Sequence, residues 1–164
     1  MAAMTTLAVA SISAAVFCLP AEAQTIRVTI LDQAGAQIVL PAAIRRAQQR
    51  NAQSAIAVVD PVGDLIAFQR LDVVRQASVE LAIQKARTAA RLQRPTAEIE
   101  DSINHGRTAF VTAGIASLRG GMPLRLNGKV VGAVGIAGSS KQADVDVARL
   151  AAAALGPSAR TLHD

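Results

Sequence analysis

"GGMPLRLNGKVVGAVGIAG", Gly120 to Gly138, decides the fold. Asn127-Gly128 separates two largely apolar runs, and both residue types tolerate the positive φ that a two-residue hairpin turn demands. The stretch predicts two antiparallel strands, PLRL and KVVGAVGIAG. In the second strand Gly132, Val134 and Ile136 share one face, while Ala133, Gly135 and Ala137 share the other. The latter face is almost bare, so a helix or a neighbouring subunit can approach its backbone closely. These glycines read as packing devices. Gly132, Gly135 and Gly138 fit neither G-x-G-x-x-G at a strand-to-helix turn nor the phosphate-loop pattern G-x-x-x-x-G-K-[ST]. Gly120-Gly121 reads differently: it precedes the hairpin, needs no glycine for strand packing, and marks a backbone bend suited to a ligand.

Working outward, AIAVVD (Ala55 to Asp60), a PVGD turn and LIAFQR (Leu65 to Arg70) predict a second hairpin, with Asp60 forming the turn. Between the hairpins, Ser78 to Leu92 places Val79, Ala82, Ile83, Ala86, Ala89 and Ala90 at helical spacing. Arg87, Arg91 and Arg94 form a basic stripe elsewhere on that helix, and Pro95 stops it. A short helix follows, with Thr96 as its expected cap and Gly106 at its end. At the flanks, Leu40 to Asn51 predicts an amphipathic helix with Pro41 in its first turn. TIRVTIL (Thr25 to Leu31) reads as extended. Ser139 with Gln142 forms a capping box for a final helix, which carries Val147, Leu150, Ala151, Ala154 and Leu155 as its apolar stripe and ends at Gly156-Pro157.

The chain opens with MAAMTTLAVASISAAVFCLPAEAQ, an apolar small-residue stretch ending in Ala21-Glu22-Ala23. We expect residues 1–23 to be a secretory signal peptide and residues 24–164 a single domain, periplasmic or secreted. The stretch is too short for stable membrane insertion. Cleavage would remove Cys18, the only cysteine, and Phe17 before it argues against lipid attachment. The formal charge of +5 raises nucleic acid as a partner. However, the basic residues are scattered and the stacking aromatics of single-strand binders are missing, so none is expected. Only Phe68 and Phe110 are aromatic beyond the leader, and alanine dominates. Small side chains bury little area each, so subunit contacts are expected to supplement the core and a homo-oligomer follows.

"AVVDPVGDLIAFQRLD", "SVELAIQKARTAARLQRPT" and "GGMPLRLNGKVVGAVGIAG", with Asp144 beyond, together resemble the GlcG/HbpS family of haem-binding or haem-degrading domains, over roughly Leu40 to Leu155. The shared motifs are V-V-D-x-x-G-x-L from Val58, R-x-D from Arg70, K-A-x-T-A from Lys85, and G-G-x-P followed by G-x-V-V-G-A-x-G from Gly120. Ile136-Ala137-Gly138 stands where the family usually has V-S-G, so that serine hydroxyl is missing. The resemblance implies an α/β, profilin-like α/β/α sandwich with a central antiparallel sheet flanked by helices, assembled into oligomers. It also implies diverse function: some members bind haem outside the cell, some accompany glycolate metabolism, and a related domain is fused to corrinoid enzymes.

His105, at the end of a short helix, is the candidate haem-iron ligand or general base. Met122 is a candidate second soft ligand. His163 is too close to the terminus to serve. Arg70, Lys85 and Arg107, with Gly120, Gly121 and Met122, are the candidate ligand-binding residues. Lys85 lies at the edge of a buried stripe, where it can snorkel or meet a carboxylate. Arg70 and Asp72 read most simply as a surface ion pair. Two ligand-binding readings emerge, beside a structural or sensory accessory subunit with no ligand chemistry. One is an exported protein holding haem or a related tetrapyrrole at an oligomer interface. The other is a small metal-free enzyme, of lyase or isomerase type, or an accessory protein acting on a carboxylated metabolite; there Arg70 or Lys85 clamps the acid and His105 or Asp72 moves a proton. Whether the chain is an enzyme is left open by its residues.

Overall fold

Both hairpins form and join into one sheet. The computed structural model describes residues 28–138 and 140–156. The leader, Ser139, Pro157 and His163 fall outside the described residues. β1 (Ser54–Val59) pairs with β2 (Leu65–Arg70), and β3 (Gly121–Leu126) pairs with β4 (Lys129–Gly138). β1 and β4 lie antiparallel with Ile56 opposite Ile136, giving the order β2-β1-β4-β3. The turns follow local chemistry. Asp60 Oδ1 accepts the N–H groups of Val62, Gly63 and Asp64 at 2.9, 2.8 and 2.8 Å. Asn127 and Gly128 hold φ of 50° and 79°, as a tight hairpin requires.

Strand alternation sorts the core into two layers. Ile56, Val58, Leu124, Val134 and Ile136 face α1 (Gln33–Gln49) and α4 (Lys141–Ala154). Ala55, Ala57, Val59, Ala133 and Ala137 face Ala82, Ala86, Ala89 and Ala90 of α2 (Ala77–Leu92). Helices on both faces of an antiparallel sheet make the α/β/α sandwich expected. The bare face of β4 is covered by a helix of the same chain: a Cβ on Gly135 would lie 2.1 Å from the Ala82 carbonyl oxygen. No helix among the described residues is long and apolar enough to cross a membrane.

Several local expectations need correction. The first helix begins at Gln33, not Leu40, and Pro41 lies inside it. Asp32 Oδ1 accepts the Gly35 N–H at 2.7 Å, and the buried stripe starts at Ala36, ahead of the proline. Pro41 forfeits one bond to the carbonyl four residues earlier; residue 37 is exposed, so water can satisfy that oxygen. Residues 28–30 form no strand, although the Leu31 N–H donates to Val131 O at 2.8 Å and its side chain is buried. Thr96 is the first residue of α3 (Thr96–Asn104) rather than its cap, which is Pro95. Ser140 caps α4, accepting the Ala143 N–H at 3.4 Å. A 3-10 turn, Thr108–Thr112, follows α3.

Candidate functional site

Lys85 does not snorkel. It is only 3% exposed and Asp144 only 4%. Its Nζ donates to Asp144 Oδ2 at 3.0 Å and to Ile136 O at 2.8 Å, joining α2, α4 and β4. Asp144 Oδ1 has no hydrogen-bond partner among the described residues. Burial pushes the Asp144 carboxyl above its ordinary value of 3.8, against the opposing pull of Lys85.

Gly120 and Gly121 form the roof of this pair, and each does need to be glycine for packing. Gly120 holds φ of +119°, where a Cβ would lie 2.6 Å from Ile136 O and 3.1 Å from Lys85 Nζ. At Gly121 a Cβ would lie 2.4 Å from Lys85 O and 2.7 Å from Thr96 Cγ2. The Gly121 N–H donates to Thr96 Oγ1 at 2.8 Å, which explains why that hydroxyl is unavailable as a cap. The bend expected to face a ligand is filled by the chain's own lysine, aspartate and threonine.

A second charged group closes the same end of the sheet. Buried Glu100 on α3 accepts the Arg119 backbone N–H at 3.1 Å, the Arg119 Nε, and Lys141 Nζ at 3.0 Å. Arg119 also reaches Asp101 Oδ1 at 2.7 Å. Burial alone would raise the Glu100 carboxyl, but the Arg119 and Lys141 hydrogen bonds outweigh it and hold it below 4.5. Such a depressed group stabilises the fold above its unfolded value, and the contribution is lost as pH falls below 4.5. Glu100→Gln is expected to cost about 2 kcal/mol at neutral pH and to flatten the acid limb of stability. Urea denaturation between neutral pH and the acid limb measures both.

The other residues singled out in the sequence do not join this cluster. Arg70 ends β2 and Asp72 follows it, both exposed and with no ion pair recorded between them among the described residues. Met122 is half-buried against the α1–α4 layer of the core. Arg107 is exposed, its guanidinium carbon 4.9 Å from the Phe110 ring centre, with Arg94 at 5.5 Å from the same ring. His105 is the exposed C-cap of α3. Its Nδ1 lies 2.6 Å from Asp101 O. A carbonyl can only accept, so Nδ1 is the donor in this contact and Nε2 is the ring nitrogen left to meet a ligand. In the sequence Glu100 reads only as one of the acidic residues favourable in the first turns of α3, and Arg119 has no reading. The only signal available was an acidic first turn on α3, which reads equally well as helix-dipole compensation.

The family described as "Haem degrading protein HbpS-like" matches residues 31–153. Protein GlcG of Escherichia coli (strain K12) is 42% identical over 108 residues, covering 65% of this chain and 81% of that protein. The crystal structure of HbpS superposes with a TM-score of 0.76 at 31% identity, covering 84% of this chain and 99% of that one. A crystal structure described as a PduOC:heme complex superposes with a TM-score of 0.70 at 28% identity, covering 78% and 96%.

Proposed function

We propose that this chain, which belongs to the HbpS-like family of haem-degrading proteins, binds haem on the surface made by the C-terminal end of α3 and the 3-10 turn. The observation that carries the reading is the exposed His105 ring, held by its own helix at Nδ1, which leaves Nε2 to meet a ligand. The residues around it suit the group. Val111 is 65% exposed and Phe110 half-buried, offering apolar contact to a macrocycle edge. Arg107 and Arg94 lie over the Phe110 ring, where a guanidinium can meet a propionate. When bound, haem supplies an iron whose axial ligand and surroundings set its reactivity. The haem complex of the related PduOC supports the same class of ligand.

The patch is open, so one chain covers one side of a flat ligand at most. A second copy of the chain supplies the other side, making the site a seam in a homo-oligomer. Exposed Val62, Leu65 and Val73 along the β2 edge and the turns beside it give such an assembly further apolar surface. We place the assembled protein outside the cytoplasm, on the strength of the leader-like residues 1–23.

Hemin titration of the purified protein, followed at the Soret band, is expected to saturate at fixed stoichiometry. His105→Ala is expected to weaken binding about tenfold or more while the circular dichroism stays unchanged. Light scattering is expected to show an oligomer. Nonsaturating binding, or binding indifferent to His105→Ala, overturns the haem reading; a monomer in the presence of hemin overturns the seam.

A further inference from the structure

On the outward side of α2, Glu80, Gln84, Arg87 and Arg91 fall at i, i+4, i+7 and i+11 and share one face. Together with the loop containing Ile115 and Ala116 this face walls a cleft of about 300 Å³. The two arginines are fixed by the β1–β2 turn. Arg87 Nε donates to Gly63 O at 3.0 Å, and Arg91 Nε donates to Val62 O at 2.9 Å. That turn is itself locked by the three N–H groups on Asp60. Neither guanidinium has a carboxylate partner among the described residues. Two oriented cations thus stand at the rim with their terminal nitrogens uncommitted to any acid.

The opposite wall is equally fixed. Thr88 Oγ1 accepts the Ala116 N–H at 3.1 Å, holding the loop against the helix. Ile115 gives this wall its apolar part. Glu80 brings an acceptor to the same cleft, its Oε1 already taking Gln84 Nε2 at 3.1 Å. An acid beside two arginines disfavours a ligand that is anionic throughout; it favours one that is anionic at one end and donates a hydrogen bond at the other.

We propose that this cleft binds a small carboxylate bearing a hydrogen-bond donor, with its carboxylate toward Arg87 and Arg91 and its donor toward Glu80. The volume suits a ligand of a few carbons rather than a tetrapyrrole. The site therefore uses residues apart from the His105 surface and stands without the haem reading. Calorimetric titration of the haem-free protein at constant ionic strength, with 3-hydroxybutyrate and with butyrate, separates the two ends, since both probes carry a single carboxylate and differ by one hydroxyl. 3-Hydroxybutyrate is expected to bind about fivefold or more tightly than butyrate. Glu80→Ala, which removes the acceptor at an exposed position, is expected to bring the two affinities together. Arg91→Gln is expected to weaken both, but it also releases the Val62 carbonyl and can loosen the turn. Gln84→Glu avoids that problem, adding a second carboxylate at an exposed position that holds no backbone bond. It is expected to lower 3-hydroxybutyrate affinity about tenfold. Failure of 3-hydroxybutyrate to bind, equal binding of 3-hydroxybutyrate and butyrate, or 3-hydroxybutyrate binding unchanged by Gln84→Glu overturns the proposal.

Discussion

Gly135→Ala is expected to destabilise the protein by about 3 kcal/mol or more, among the largest losses open to a single added methyl group. The sign is what makes the test decisive. In an exposed strand the same change removes backbone entropy from the unfolded chain and stabilises by about 0.5–1 kcal/mol. Here the added Cβ would lie 2.1 Å from Ala82 O and 2.6 Å from Ala86 N, both backbone atoms of α2. Rotating a side chain cannot relieve that contact. The helix must rise off the sheet, and with it the alanine layer of Ala55, Ala57, Ala133 and Ala137. Ala86→Gly would relieve only the 3.0 Å contact with the Ala86 Cβ and leave both backbone contacts, so Gly135→Ala/Ala86→Gly is expected to recover little. Urea denaturation of the two variants reads the difference. A neutral or stabilising Gly135→Ala would mean that α2 does not sit on β4 at this distance.

Why so much of the fold was legible follows from the same residues. The hairpins were readable because their determinants are local: Asn127-Gly128 sets one turn, and the Asp60 carboxylate organises the other within four residues. Leu65–Arg70 matches its expected bounds for that reason. The bare face of β4 was also readable as a place of close approach, although periodicity cannot say whether a helix or a subunit approaches. α1 was harder, because Gln33 to Gln37 carry no strong apolar period and Pro41 imitates a start. The charged cluster was the least legible. Lys85 and Asp144 are 59 residues apart, and nothing in either neighbourhood encodes the partner. Lys85 in an alanine-rich helix reads as a snorkelling surface residue until the fold brings Asp144 and Ile136 O to its ammonium. Thr96 was misread for the same cause: its hydroxyl answers to Gly121, 25 residues on, rather than to its own helix.

Lys85→Met is expected to cost about 3–5 kcal/mol at neutral pH, because removing one partner of a buried pair leaves the other charge uncompensated. Methionine keeps most of the apolar stem, so the loss reports the ammonium and not a cavity. The pH dependence distinguishes this account from mere packing. Asp144 already titrates above 3.8 in the folded protein. Between the unfolded and folded values the native state binds more protons than the unfolded chain, so this group's contribution to stability falls as pH rises through that window. Without Lys85 the opposing pull disappears, the folded value climbs further, and the window widens upward. The cost of Lys85→Met, measured against wild type at each pH, should therefore shrink as the solution is acidified toward about pH 4, where the stranded carboxyl becomes a neutral acid. Glu100 titrates in both proteins and cancels in that difference. Lys85→Met/Asp144→Leu removes both charges together and is expected to regain most of the lost stability at neutral pH, as replacement of a buried pair by apolar side chains often does. A cost for Lys85→Met that stays constant with pH, or a double variant no better than the single one, would show that the ammonium serves the Ile136 carbonyl and the helix packing rather than Asp144.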